Sequence, residues 1–323
     1  MGKKVDYTLL YRISKAYYLD KKTQQEIADV ENFSRPQISR LLKKALEDEL
    51  VTYTLNFPNA LDEQMLSRQL REQLKLEQVI LIPSFYSNAG AVDNHEISKN
   101  LALGAAGILP KLLEDAKIIG VGWGRSLYHA SLHIEMQKPL RGRMVLPLIG
   151  SVGDTNPSLQ INTIVDRFGE QLHAERKYLN LETLQRRNVD ERYIQRTAGN
   201  VLCRWKELDA AIIGIGGSPA NPKNLISEYP ASYKQRIRSS GTVGDILSQF
   251  LYADGQILEP SPGMRLMAYD IRDLPKVKNV IALAAGDDKV APICVAAQMG
   301  YIKTLITDYN TATSILRKGE KSL

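Results

Sequence analysis

Between positions 34 and 44 the chain places Ser34, Arg35, Gln37, Ser39, Arg40, Lys43 and Lys44 among Ile38, Leu41 and Leu42, with Ala45 and Leu46 just beyond. On a helix the apolar set turns inward and the polar set outward. Such an outer face suits a nucleic-acid duplex: arginine matches the O6/N7 edge of guanine, glutamine the edge of adenine, and lysine the phosphates. A second group of chemistry-bearing residues lies far downstream. Gly122-Trp123-Gly124-Arg125-Ser126 follows the β-branched run Ile118-Ile119. A strand-turn-helix passage of that kind aims backbone N–H groups and the positive end of a helix at an anion. Arg125 adds a charge-assisted fork, Ser126 a hydroxyl, and Trp123 a candidate pocket wall. Neither the GK[ST] of a Walker loop nor the third glycine of a dinucleotide fingerprint follows. Lys289, in Gly286-Asp287-Asp288-Lys289, comes just past another apolar run, and Gly214-Ile215-Gly216-Gly217 ends a third. Asp245, in Val243-Gly244-Asp245, offers a carboxylate that accepts hydrogen bonds from sugar hydroxyls. The loop Gly150-Ser151 and the helical stretch after it, carrying Gln160 and Asn162, add further polar groups.

Other chemistries are disfavoured. His129 and His133 stand i, i+4 without the glutamate of a HExxH motif between them, and Cys203 and Cys294 make neither a disulfide framework nor a four-ligand zinc site. No metal and no cofactor is expected. No apolar run approaches the roughly 18 residues of a membrane span. The start MGKKVDYTLLYRISKAYY carries charges where a secretory signal has an apolar core, so a cytoplasmic protein is expected. The net charge of +6 permits a polyanionic partner.

The elements that must position these residues fall into two regions with different grammar. Residues 1–57 read as helical, and 58–323 as β-branched runs alternating with helices. In the first region a helix spans about Tyr7 to Tyr18. Thr23-Gln24-Gln25-Glu26 fits a capping box that opens a short second helix, with Thr23 and Gln24 at its exposed start. Glu31-Asn32-Phe33 makes a tight turn, after which Ser34 caps a third helix with Pro36 in its first turn and Gln37 at the box position. Two short helices and a tight turn with a cationic outer face predict a helix-turn-helix, and Leu50–Leu55 alternates like a small wing. In the second region, strands are expected at 79–82, 118–122, 144–150, 210–217, 280–284 and 304–307. Buried strands alternating with helices predict a doubly wound, parallel α/β sheet, whose carboxyl ends bring glycine turns and Lys289 to one crevice. An amphipathic helix over 61–76 is expected to pack on the sheet or at a subunit contact.

The run Tyr17-Tyr18, Thr23-Gln24-Gln25-Glu26-Ile27-Ala28, Ser34-Arg35-Pro36-Gln37-Ile38-Ser39-Arg40-Leu41-Leu42 and Val51 resembles the DNA-binding end of SorC/DeoR-type sugar-responsive transcriptional regulators. Gly122–Ser126, Gly214–Gly217, Val243–Asp245, Gly286–Lys289 and Leu305–Asp308 occur in the order expected of their effector domains. Two departures stand beside the match: Asp48-Glu49-Leu50 replaces the usual glycine before Val51, and Arg125 replaces a small hydroxyl residue. The resemblance implies a winged helix-turn-helix domain joined to an effector domain similar to sugar-phosphate isomerases and deaminases. It implies operator DNA, a phosphorylated sugar or polyol, and further copies of the chain, as a dimer or tetramer, for partners. Carried over, it puts phosphate on Gly124, Arg125, Ser126 and Lys289, and the sugar on Gln160 and Asp245, with Gly122, Trp123 and Gly150 beside them. A regulator of a carbohydrate operon rather than an enzyme is therefore expected. The alternative is an isomerase or deaminase with an added domain, although the acid and histidine of a deaminase are missing after Gly216-Gly217-Ser218-Pro219.

Overall fold

Asp6 opens the first helix by accepting hydrogen bonds from the N–H groups of Thr8 and Leu9 at 3.0 and 3.1 Å. The computed structural model describes residues 6–48, 50–51, 60–84, 94–134, 142–153, 156–221 and 229–320. The chain divides into two compact units, Met1–Pro58 and Asn59–Leu323.

In the first unit α1 (Tyr7–Ser14) runs into a π-helical turn over Lys15–Leu19, where the sequence pattern predicts one continuous helix. α2 (Gln24–Glu31) starts with the expected box: Thr23 Oγ1 accepts the Glu26 N–H at 3.2 Å, and the Glu26 carboxylate accepts the Thr23 N–H at 2.7 Å. The Thr23 N–H and the Thr23 hydroxyl, which both donate to the Glu26 carboxylate, hold that carboxyl below the usual carboxylate range. Asn32, left-handed at φ +56°, ends α2. α3 (Arg35–Glu47) begins where Gln37 Oε1 accepts from the Ser34 N–H and hydroxyl at 2.8 and 2.9 Å. Ile13, Ile27, Ala28, Ile38 and Leu42 form the core of this unit, with Leu9, Tyr17, Phe33 and Leu41 packed around them. Burying such side chains contributes roughly 1.5–3 kcal/mol each. The wing expected at 50–55 lies, from Thr52 onward, outside the described residues.

The second unit opens with α4 (Ala60–Leu74) and β1 (Gln78–Ile82), then α5 (Asn94–Ala106), α6 (Leu109–Leu112) and β2 (Ile118–Val121). α7 (Arg125–His133), β3 (Met144–Pro147), α8 (Ile161–Gln171) and β4 (Glu175–Arg176) follow. Next come β5 (Leu184–Arg186), α9 (Glu191–Leu202), β6 (Ala210–Gly214) and α10 (Ala231–Arg238). The last part holds β7 (Gly244–Ile246), β8 (Gln249–Leu251), β9 (Met264–Leu266), β10 (Asn279–Leu283), α11 (Val290–Gln298), β11 (Thr304–Asp308) and α12 (Tyr309–Glu320). Seven strands make one parallel sheet in the order β1-β11-β10-β6-β2-β3-β4. Its central strands are apolar on both faces, as a sheet covered on two sides requires: β6 reads Ala210-Ala211-Ile212-Ile213 and β10 Val280-Ile281-Ala282-Leu283, all buried.

The chain steps one way along the sheet through β1, β2, β3 and β4, and the other way through β6, β10 and β11. Right-handed crossovers therefore put α5, α7 and α8 on one face and α11 on the other. α5 packs on α7 and α7 on α8, while α4, α11 and α12 pack on one another. The amphipathic helix expected at 61–76 is thus α4, set against β1 and α12. The direction reverses between β2 and β6, so their carboxyl ends open a crevice at the switch point. Two short antiparallel pairs, β5–β9 and β7–β8, fall outside the sequence expectation.

Candidate functional site

β2, β6 and β10 are neighbours in register, with Ile119 beside Ala210 and Ala211 beside Val280. Their carboxyl ends therefore deliver three turns to one crevice. From β2 the chain passes through Gly122 and Trp123 to Gly124, whose φ of +124° is open only to glycine without strain. α7 starts immediately after it, and Gly124, Arg125, Ser126 and Leu127 all line the crevice, so the N–H groups of the first turn meet whatever sits there. From β10 the turn at Gly286 is fastened by its N–H to Thr311 Oγ1 at 2.7 Å and carries Lys289 to the same crevice. Burial lowers the Lys289 pKa, helped by Arg125 and opposed by Asp288 and Asp245. From β6, Gly214, Ile215, Gly216 and Gly217 line the base.

Asp245 reaches the crevice from β7, which bridges Gly216: the Gly216 N–H donates to the Asp245 carbonyl at 2.9 Å. A Cβ on Gly216 would stand 1.9 Å from Asp245 Oδ1, so glycine is what lets the carboxylate lie there. Burial raises the Asp245 pKa to about 6, against the Ser248 N–H, which donates to Oδ2 at 3.2 Å, and the charge of Lys289. Trp123, Tyr229, Leu247 and Phe250 add apolar walls. Two cations and a helix amino end form an anion cradle, and one carboxylate beside them accepts from hydroxyl groups. Such an arrangement can take a small molecule that carries an anionic group at one end and hydrogen-bond donors at the other.

Of the residues singled out in the sequence, Trp123, Gly124, Arg125, Ser126, Asp245 and Lys289 come together here. Gly122 lies behind them, with space for a Cβ limited to 3.0 Å by Leu247. Gly150 and Gln160 do not line this crevice. The Gly150 N–H donates to Met267 O and its carbonyl accepts from Thr183 Oγ1, both at 2.8 Å, and a Cβ there would press on Leu181 O at 2.4 Å. Gln160 precedes α8 and donates to Gly153 O at 2.6 Å, and Asn162 donates to Asn180 at 2.9 Å. These bonds tie Gly150 to Thr183 and Met267, and Gln160 and Asn162 to their own neighbourhood at Gly153 and Asn180. Ser98, Tyr229 and Phe250 line the crevice unannounced, because no motif marks a residue that arrives from a distant helix or loop. His129 faces His95 with ring centroids 5.0 Å apart, and burial and then His95 lower its pKa. Among the described residues no cluster of three or more metal ligands forms.

In the first unit Arg35, Gln37, Ser39, Arg40 and Lys43 are exposed on α3, the second helix of the helix-turn-helix, and Thr23 is exposed at the start of α2. Gln24 and Lys44 are half-buried, and Lys44 pairs with Asp48 at 3.1 Å. Lys43 and Glu47 stand 3.6 Å apart on an exposed face, a pair too solvated to immobilise the lysine. Gln37 uses its oxygen on Ser34, and a bidentate contact to adenine requires it to leave that cap. Arg40 Nε rests on Pro36 O at 3.3 Å, with the rest of its guanidinium directed outward from an exposed side chain.

Among the described residues no helix is long and apolar enough to cross a membrane. The sugar-binding domain family matches residues 59–317. Over 319 residues the chain is 26% identical to the sorbitol operon regulator of Klebsiella pneumoniae, covering 97% of this chain and 98% of that one. It is 29% identical over 315 residues to the transcriptional regulator LsrR of Escherichia coli, covering 95% and 93%. It is 25% identical over 309 residues to the deoxyribonucleoside regulator of Bacillus subtilis, covering 94% and 95%. The crystal structure of full-length SorC from Klebsiella pneumoniae superposes with a TM-score of 0.76 at 24% identity, over 97% of this chain and all 100% of that one. A family domain over residues 59–317, a capped helix-turn-helix ahead of it and end-to-end similarity to named regulators lead to one conclusion: the chain belongs to the sugar-binding-domain family of SorC/DeoR-type transcriptional regulators.

Proposed function

We propose that this regulator reads operator DNA of a carbohydrate-utilisation operon with α3, and that a phosphorylated sugar or polyol in the crevice changes its affinity for that DNA. The observation that carries the effector reading is the meeting of Arg125, Lys289 and the amino end of α7 with a single carboxylate, Asp245, in one crevice. The phosphate is assigned to Gly124, Arg125, Ser126 and Lys289, and the hydroxyls to Asp245. The exposed cationic face of α3 supports the DNA reading, in which Arg35 and Arg40 are assigned to base edges and Lys43 to phosphate. Residues 1–57 take the DNA role, and 58–323 the effector and oligomer contacts. The relatives' names, sorbitol operon regulator and deoxyribonucleoside regulator, support a carbohydrate-linked effector.

The test is operator binding by the full chain with and without inorganic phosphate, glucitol 6-phosphate, fructose 6-phosphate and ribose 5-phosphate, with melting shifts in parallel. A ligand at 100 times its dissociation constant adds about 2.7 kcal/mol of stability. An operator affinity indifferent to every phosphosugar that binds would overturn the reading. Turnover of fructose 6-phosphate or ribose 5-phosphate would instead favour an isomerase or deaminase.

A further inference from the structure

The two residues that turn β7 back into β8 are Leu247 and Ser248, and both hold left-handed backbone, at φ +50° and +63°. A two-residue hairpin with both positions left-handed favours Asn-Gly, because a Cβ crowds the backbone in that region. A leucine followed by a serine is therefore held against its local preference by what surrounds it, and such positions gather at ligand sites. Here the surroundings are the crevice. Leu247 lines it and backs onto Gly122. Ser248 does not line it and is fully buried, at 0% exposure. Its N–H donates to Asp245 Oδ2 at 3.2 Å, and its hydroxyl oxygen accepts from the Tyr229 hydroxyl. Asp245 and Tyr229 arrive from separate segments, and both line the crevice. One buried residue thus ties together two of the groups available to a ligand's hydroxyls.

We propose that Ser248 is a positioning residue for the effector: its left-handed backbone and buried hydroxyl set the Asp245 carboxylate and the Tyr229 ring against the hydroxyl-bearing part of the ligand. The proposal rests on the reading of the crevice as a sugar-phosphate site. The chemistry fits the placement. Burial alone works against an ionised Asp245, and the Ser248 N–H works for it, so the turn also favours the acceptor form that a hydroxyl donor needs. A glycine at 248 would satisfy the turn more easily but would offer Tyr229 no oxygen.

That difference makes Ser248→Gly the informative variant. It keeps the left-handed turn and the backbone N–H to Asp245, and removes the Cβ together with the hydroxyl that Tyr229 uses. The full chain, wild type and variant, is titrated calorimetrically with inorganic phosphate and with glucitol 6-phosphate, fructose 6-phosphate and ribose 5-phosphate, and melting serves as the folding control. Inorganic phosphate should bind both equally, since Arg125 and Lys289 are untouched. The sugar phosphate preferred by the wild type should bind the variant roughly tenfold to hundredfold more weakly. Unchanged affinity and unchanged preference among the sugar phosphates would overturn the proposal. A merely structural role would lower melting without moving the ratio of sugar phosphate to inorganic phosphate. If the wild type binds none of these probes, the effector reading itself fails, and a crystal structure of the ligand-free Ser248→Gly chain decides the positioning role. A displaced Tyr229 side chain supports it, and Tyr229 in its wild-type place refutes it, while Asp245 keeps the backbone N–H that the variant retains.

Discussion

At the scale of single residues the crevice sets two opposite charges under the same burial. Lys289 has its pKa lowered and Asp245 has its pKa raised, the direction burial imposes on each. An anion compensates the Lys289 ammonium for the hydration that burial removes, so Lys289→Ala should weaken sugar-phosphate binding by about 2–4 kcal/mol. Calorimetry on a variant with wild-type melting checks this, and an undiminished affinity would place the phosphate elsewhere. Asp245 has a consequence for stability. Its pKa is about 6 in the fold against an ordinary 3.8, so from about pH 4 to 6 the folded chain keeps a proton that the unfolded chain has released. Its contribution to stability therefore declines as pH rises through that window and stays low above it. Asp245→Asn removes the decline. In the ligand-free state the variant should gain in melting temperature over wild type between about pH 4 and pH 7, even though it binds sugar phosphates more weakly. Parallel melting curves across that range would contradict the buried-carboxylate account.

Elements decide what those residues can reach. α3 is held at its start by Ser34 and Gln37 and on its inner face by Ile38 and Leu42, which leaves Arg35, Arg40 and Lys43 in solvent. Arg40→Ala should cost about 1–3 kcal/mol on the preferred operator and flatten base preference at one position. Lys43→Ala should weaken all sequences alike and reduce the salt slope by about 1. Competition binding over a salt series separates the two, and identical behaviour of both variants would mean that α3 touches only phosphates. On the other unit, β6 and β7 approach so closely at Gly216 that an added methyl group collides with Asp245. Gly216→Ala should consequently impair sugar-phosphate binding far more than binding of inorganic phosphate, because the carboxylate moves and the anion cradle does not.

For the whole molecule, one helix-turn-helix covers part of one half-site, and operator recognition at useful affinity needs two readers related by symmetry. A dimer or tetramer is expected in light scattering at micromolar concentration, and a monomer with tight, specific operator binding would refute it. Effector control requires a ligand that binds two arrangements of the assembly differently. Lys289→Ala should then bind operator as wild type does in the absence of ligand and no longer respond to sugar phosphate. A full wild-type response in that variant would separate the crevice from the control of DNA binding.

Much of this was legible in the residues themselves. The caps at Thr23 and Ser34 are local, made within four residues, so their boxes and the helices they open follow from types and spacing. The six main strands of the sheet are short runs rich in β-branched and apolar residues, and burial on both faces writes itself into composition. Gly124, Arg125 and Lys289 were legible for the same reason, since a strand followed by a glycine turn and a helix has one place to point. The surroundings of Gly150 and Gln160 were not, because a polar group in a loop has many possible partners and the sequence does not say which is nearest; here Gln160 bonds Gly153, and Gly150 bonds the distant Thr183 and Met267. Nor did any pattern announce β7 and β8, three residues each, or the left-handed Leu247 and Ser248 between them. Their conformation opposes local preference, and contacts with Tyr229 and Gly122, distant in sequence, maintain it together with the Asp245 carboxylate at the start of the same hairpin. The sequence by itself determined the helices, the parallel sheet and the glycine turns at the ends of its strands, all of which are local or compositional. Tertiary structure alone decided which other side chains stand in the crevice with Asp245, because Ser98, Tyr229 and Phe250 are brought there by packing between segments that share no motif.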